Sequence, residues 1–104
     1  MTLQEAMERL EAAGDAKMRA LYLKHGGPSN LFGVKTADIR ALGKQIKKDH
    51  PLGLELWKTG NVDARFLATL IVTPKAFSST ELEELLKSTT YTRNLDWLMT
   101  NVVE

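Results

Sequence analysis

Apolar residues recur along the chain mostly every three or four positions, the spacing of one buried helical face. Leu3, Met7 and Leu10 form the first such stripe, and the longest runs through residues 62–71. No segment combines sustained apolar and polar alternation with hairpin turns, which β-strands would require. The pattern therefore predicts an all-α protein of six to seven helices.

Capping residues and chain breakers divide this pattern into separate helices. Capping boxes, in which paired side chains satisfy free backbone amides at a helix start, are predicted at Thr2 with Glu5 and at Ser78 with Glu81. The other predicted starts are Asp15, Thr36, His50-Pro51 and Asn61, and the last helix covers residues 93–103. The predicted breaks are Gly14, Gly26-Gly27-Pro28, Gly60 and Pro74.

Short amphipathic helices joined by tight turns predict stacked antiparallel hairpins. We expect about three helix pairs in a HEAT-like solenoid, at a spacing of roughly 35–45 residues. With 104 residues, the chain can bury one core, so residues 1–104 are predicted to form a single helical-repeat domain.

Composition limits the possible cellular compartments and metal sites. The absence of cysteine excludes disulfides and thiolate metal sites and is typical of a reducing compartment. His25 and His50 have no matching ligand partners, so we expect no metal site. No apolar run approaches the ~20 residues of a membrane span, and the polar first residues do not resemble a signal peptide. We predict a cytoplasmic protein with no membrane partner.

Charge is nearly balanced overall, at +1, but it is unevenly distributed. The cations of the third helix share one face, opposite its apolar stripe of Ile39, Leu42 and Ile46: they are Arg40, Lys44, Lys47 and Lys48. Acids cluster elsewhere, at Glu81, Glu83 and Glu84. Such a basic face is either a solvated helix exterior or a ridge that contacts phosphates and whose affinity falls steeply with salt.

The last helix carries a tryptophan in an unusual position. Its apolar stripe is predicted to contain Leu95, Leu98, Met99 and Val102. At ~100° per residue, Arg93, Trp97 and Asn101 lie roughly on the opposite face. We therefore expect Trp97 either to pack against another helix or to provide a platform for a ligand.

Two segments carry a family resemblance: residues 30–35, with the sequence NLFGVK, and residues 54–65, which read LELWKTGNVDAR. Together with Arg40 between them, they resemble the N-terminal half of the DNA alkylation repair enzyme family, the HEAT-like-repeat alkylpurine DNA glycosylases. The similarity extends over nearly the whole chain. It implies a helical solenoid whose concave, positively charged surface holds duplex DNA, and removal of purines alkylated at N3 or N7 without a metal or organic cofactor.

The resemblance also implies a catalytic tryptophan followed four residues later by an aspartate. The corresponding residues here are Trp97 and Asn101. An asparagine is nearly isosteric with aspartate but has no negative charge and cannot act as a base. Family members also use C-terminal helices that this chain lacks. We therefore expect a shortened, catalytically impaired form that retains weak DNA binding, with contacts from Lys35, Arg40, Lys44, Lys47, Lys48 and Arg93.

Two alternatives remain open at this level. The apolar end at Val102-Val103 could bury itself against a protein partner or a second copy of the chain, which would make the domain an interaction module. An active enzyme is also possible if another chain supplies the missing acid, or if Asn101 is not the matching position.

Overall fold

The computed structural model describes residues 1–27, 29–89 and 92–103, and for Thr92, Arg93 and Val103 it describes the backbone alone. The α-helices are α1 (Leu3–Ala12), α2 (Ala16–Lys24), α3 (Thr36–Ile46), α4 (His50–Lys58), α5 (Val62–Ile71), α6 (Ser79–Ser88) and α7 (Thr92–Leu98). A 3₁₀ turn at Pro74–Ala76 precedes α6, and α7 continues as a π-helical segment, Met99–Val103. These ranges contain one isolated β-bridge, between Gly14 and Val34, and no strand. The all-α prediction is confirmed.

Side-chain caps fix most helix starts where the sequence places them. Both capping boxes are present, and the predicted caps Asp15 and Asn61 accept hydrogen bonds from the first turns of α2 and α5. At α4 the cap is Asp49, one residue before the predicted start, and its carboxylate accepts from the Leu52 N–H at 3.2 Å. None of the helices in the described part of the chain is long and apolar enough to cross a membrane.

Helix α5 is the centre of the core. Eight of its ten residues are buried, and it contacts α1, α3, α4 and α7. A helix that is apolar on nearly all sides must be enclosed by neighbours. Each fully buried side chain of the size of Phe66 or Leu67 contributes about 1.5–3 kcal/mol of hydrophobic free energy. Helices α1, α3, α4 and α7 are therefore held together mainly through α5.

Helices α4 and α5 form an antiparallel hairpin. Only residues 59–61 connect them at one end. At the other end, the Asp49 N–H donates to the Ile71 carbonyl at 2.8 Å, which brings the start of α4 beside the end of α5. This pair is the antiparallel unit that the sequence predicts.

Helix α3 runs parallel to α5. Near their starts, the Val34 N–H donates to the Asp63 carboxylate at 2.9 Å. Near their ends, the Lys48 ammonium group donates to the Leu70 carbonyl at 3.3 Å. Contacts at both ends fix the two helices in the same direction.

Helix α7 also runs parallel to α5. The Asn94 side-chain amide donates to the Val62 carbonyl at 3.2 Å, and the Asn101 amide donates to the Thr69 hydroxyl at 3.3 Å. Helices α3, α5 and α7 thus share one direction and start at residues 36, 62 and 92, which are 26 and 30 residues apart. The predicted repeat of 35–45 residues is wrong, because these helices and their connections are short.

The predicted apolar stripe of the last helix differs in the structure. Met99, predicted to face inward, is 40% exposed. Among the side chains described in residues 94–102, the buried ones are Asn94, Leu98 and Val102, spaced i, i+4 and i+8. The buried polar Asn94 shifts the stripe, because its amide finds a partner in the α5 backbone.

Val102 is buried. It therefore does not form the exposed apolar surface that the interaction hypothesis requires at this position. That side chain is only 4% exposed and, together with Leu98 and Thr69, it lines a small pocket. The Val103 side chain lies outside the described residues. Val102 therefore belongs to the core of this domain.

Candidate nucleic-acid interface

The loop before α3 is held by one buried carboxylate. Asp63, in the first turn of α5, is fully buried and accepts three backbone hydrogen bonds: from Phe32 at 2.6 Å, Gly33 at 3.2 Å and Val34 at 2.9 Å. Hydrogen bonds to an ionised acceptor are stronger than neutral ones. Asp63 therefore fixes the loop, and with it the start of α3, on α5. The sequence interpretation assigned Asp63 no role.

Asn30 makes a second connection between the same segments. Its carbonyl accepts from the Val62 N–H at 3.0 Å, and its side chain donates to the Thr59 carbonyl at 3.2 Å. The Asn61 amide donates to the Asn30 side-chain oxygen at 3.1 Å. The two segments that carry the family resemblance therefore contact each other and have a structural role.

Trp57 and Arg65 attach α6 to the core. The Arg65 guanidinium group lies 4.7 Å from the Trp57 ring centroid, and it donates to the Trp57 carbonyl at 3.1 Å and to the Ser88 carbonyl at 2.8 Å. The Trp57 indole N–H donates to the Ser88 hydroxyl at 2.9 Å. Burial lowers the pKa of Arg65, although a guanidinium group stays charged at neutral pH. These two side chains thus serve the fold and are not free for a ligand.

Four cations, two on α3 and two directly after its end, lie along one open groove, which we call the basic groove. It has a volume of about 520 Å³, and its lining residues are Arg40, Gly43, Lys44, Lys47, Lys48 and Leu70. None of these is acidic. A concave surface lined by four cations and no acid attracts polyanions. The structure thus brings together four of the six residues predicted to contact DNA.

The four cations are not equivalent. The Lys48 ammonium group donates to the Leu70 and Val72 carbonyls, both at 3.3 Å, and so caps the end of α5. The side chains of Lys44 and Lys47 are exposed, and their ammonium groups form no hydrogen bond with another residue that the structure describes. Lys47 ends α3 with φ of 65°, a value that non-glycine residues seldom adopt. The groove therefore offers Lys44 and Lys47 to a ligand, together with Arg40.

The other two predicted DNA contacts lie apart from this set. Lys35 is the N-cap residue of α3, and its exposed side chain does not line the basic groove. At ~1.5 Å per residue, it lies roughly 18 Å from Lys47 along the helix. The Arg93 side chain lies outside the described residues.

Trp97 is half-buried between the core and the basic groove. Its ring centroid lies 4.6 Å from that of Phe66 in α5, and the Arg40 guanidinium carbon lies 4.7 Å from the indole centroid. The prediction that Trp97 points away from the core is wrong, because the actual stripe includes Asn94 and Leu98 and places Trp97 at its border. Trp97 thus follows the packing alternative, and Arg40 covers part of its ring.

Asn101 is half-buried and is also engaged with α5. Its amide donates to the Thr69 hydroxyl at 3.3 Å, which in turn donates to the Phe66 carbonyl at 2.7 Å. Asp96, the neighbouring acid, is exposed. Among the residues that the structure describes, no group of three or more His, Asp or Glu side chains could hold a metal ion.

Comparison with known proteins agrees with this architecture. A solved structure described as a new family of proteins related to the HEAT-like repeat DNA glycosylases, with affinity for branched DNA structures, matches 92% of this chain and 41% of its own length. The TM-score is 0.87 and the sequence identity 31%. The Listeria innocua protein Lin0241 is 26% identical over 88 residues, which are 81% of this chain and 39% of that protein.

The chain thus spans about two fifths of the length of these two relatives. The structural match confirms the HEAT-like fold that the sequence predicts. The family model for the DNA alkylation repair enzyme matches residues 3–104. The chain therefore belongs to the DNA alkylation repair enzyme family.

Proposed function

We propose that this chain binds the phosphate backbone of DNA through the basic groove and does not itself excise alkylated bases. The observation that carries the proposal is the presence of Arg40, Lys44 and Lys47 in one open groove without an acid. Such a surface would bind phosphates regardless of base sequence. The affinity for branched DNA of the structurally similar protein supports a nucleic-acid partner.

Two features argue against base excision by this chain. Cleavage of the bond to the sugar requires an anion to stabilise the developing positive charge or to position water, and Asn101 offers only an amide bonded to Thr69. A cationic alkylpurine would also need an aromatic face. Arg40 already lies over the Trp97 ring, and its charge would repel a second cation.

Reversing the charges of Lys44 and Lys47 should abolish most of the affinity for DNA. For Lys44→Glu/Lys47→Glu we expect duplex binding to weaken on the order of a hundredfold, because two charge-assisted contacts are lost and two repulsive ones are created. Fluorescence anisotropy with a short labelled duplex at low salt measures the effect.

The matched control is Lys17→Glu/Lys24→Glu on α2. It makes the same change in net charge at two exposed lysines that do not line the basic groove. It should keep affinity within a few-fold of the wild-type chain, because only long-range electrostatics change. Equal losses in the two variants would show that net charge, and not the groove, governs binding.

Excision is tested separately on DNA treated with a methylating agent. We expect purine release in the presence of this chain to equal the spontaneous rate. Asn101→Asp should not raise it, because Arg40 still lies over Trp97. Enzyme-dependent release that disappears in Trp97→Ala would refute the claim that the chain lacks this activity.

A further inference from the structure

We propose that Trp97 is a positioning residue that orients Arg40 toward a DNA phosphate, and that it is not a surface for a base. The inference rests on the proposed function and deepens it by assigning distinct roles within the same surface. It also differs from the role that the family resemblance implied for this tryptophan.

The first support is the contact between the two side chains. Arg40 is exposed on α3, and its guanidinium carbon lies 4.7 Å from the centroid of the Trp97 ring. An exposed arginine samples many rotamers, and fixing it on binding costs conformational entropy. Stacking on an indole restricts the side chain before the ligand arrives and leaves its N–H donors available for a bidentate contact with phosphate.

The second support is that Trp97 is itself held in place. Its ring contacts that of Phe66, whose side chain is fully buried in α5. One turn before Trp97, the buried amide of Asn94 is bonded to the Val62 carbonyl, which fixes α7 on the same helix. The indole is therefore a rigid support for a flexible cation.

The third support is the charge around Arg40. Its guanidinium group forms no hydrogen bond with another described residue, and the groove that it lines contains no acid. Its charge therefore has no anionic partner in this part of the chain. Lys44 lies one helical turn further along the same groove, so a backbone that reaches the lysines also passes Arg40.

The experiment compares four variants on two DNA probes. The variants are Arg40→Ala, Trp97→Leu, Trp97→Phe and the double variant Arg40→Ala/Trp97→Leu. The probes are a fully paired duplex and the same duplex with one unpaired adenine, and the measured quantities are affinity and its salt dependence. Thermal unfolding of each variant shows whether it is folded at the assay temperature, and Trp97→Phe retains an aromatic ring if Trp97→Leu does not fold.

Arg40→Ala and Trp97→Leu should each weaken binding to both probes about tenfold and lower the salt slope by about 1, as expected for one lost phosphate contact. The double variant should bind no more weakly than Arg40→Ala, since both changes remove the same contact. Trp97→Phe should stay within about threefold of wild type, because a ring still supports the guanidinium group.

Four results would overturn the inference. Tighter binding of Arg40→Ala to the probe with the unpaired adenine would mean that the freed indole stacks on a base. Additive losses in the double variant would mean that the two residues act independently. Full affinity in Arg40→Ala, when Lys44→Glu/Lys47→Glu has lost it, would leave DNA binding by the two groove lysines standing but remove the role of Arg40. A wild-type chain that binds neither probe would remove both the inference and the proposed function.

Discussion

Asp63→Ala should lower the free energy of unfolding by about 3–5 kcal/mol, because three backbone N–H groups near the start of α3 lose their acceptor at once. Two of them, those of Gly33 and Val34, belong to buried residues and cannot simply turn to water. A domain of this size has about 5–15 kcal/mol of stability in total. Urea denaturation followed by circular dichroism measures the change.

The control for Asp63 is Asp38→Ala, which removes an exposed acid from the first turn of α3. It should cost less than about 1 kcal/mol, the usual size of a charge effect at an exposed helix start. Similar losses in both variants would show that charge, and not the three hydrogen bonds, accounts for the effect of Asp63.

Gly33→Ala should destabilise the domain by about 3–5 kcal/mol, because it adds a steric clash to an unfavourable backbone angle. Gly33 has φ of +80°, and a Cβ there would lie 2.5 Å from the Arg19 backbone nitrogen and 2.7 Å from its Cα. Relieving the clash would move the loop and strain the hydrogen bonds from Arg19 to the Leu31 and Ser29 carbonyls, at 3.3 and 3.1 Å.

Gly26→Ala separates these two contributions. Gly26 has φ of +87°, but a Cβ at this position would meet no atom of another segment within 4 Å. This variant should therefore incur only the cost of the backbone angle, about 1–2 kcal/mol. Thermal and urea unfolding of both alanine variants measure the difference, and equal losses would contradict the assigned clash with Arg19.

The two segments that carry the family resemblance identify the fold of this chain and not its activity. Residues of these segments, such as Asp63 and Arg65, form hydrogen bonds that join α3, α4, α5 and α6. They specify a scaffold. Function depends on the residues that the scaffold presents. In the function proposed above, those are the cations of the basic groove, with an amide at Asn101 in place of an acid.

Local sequence signals were sufficient for much of the fold. Helix starts at Thr2, Asn61 and Ser78 depend on bonds between residues three positions apart, so composition and spacing predict them. The shared face of Arg40 and Lys44 follows in the same way from the periodicity of a single helix.

Tertiary contacts explain the features that the sequence did not reveal. Asp63 acts on Val34, 29 positions away, and Lys48 caps α5 from 22 positions away. The position of Trp97 depends on the packing of α7 on α5, where the polar Asn94 occupies a core position. Periodicity alone assigns such a residue to the surface.

The salt dependence of duplex DNA binding is the sharpest test of whether the groove cations contact phosphates. Unlike Lys48, the groove residues Arg40, Lys44 and Lys47 have side chains that bond no carbonyl of the described residues. A plot of log K against log salt should therefore have a slope of about −3 for the wild-type chain. In the triple variant Arg40→Ala/Lys44→Ala/Lys47→Ala, the affinity should fall and the magnitude of the slope should decrease toward zero. Salt-independent binding by the wild type, or an unchanged slope in the triple variant, would contradict the account.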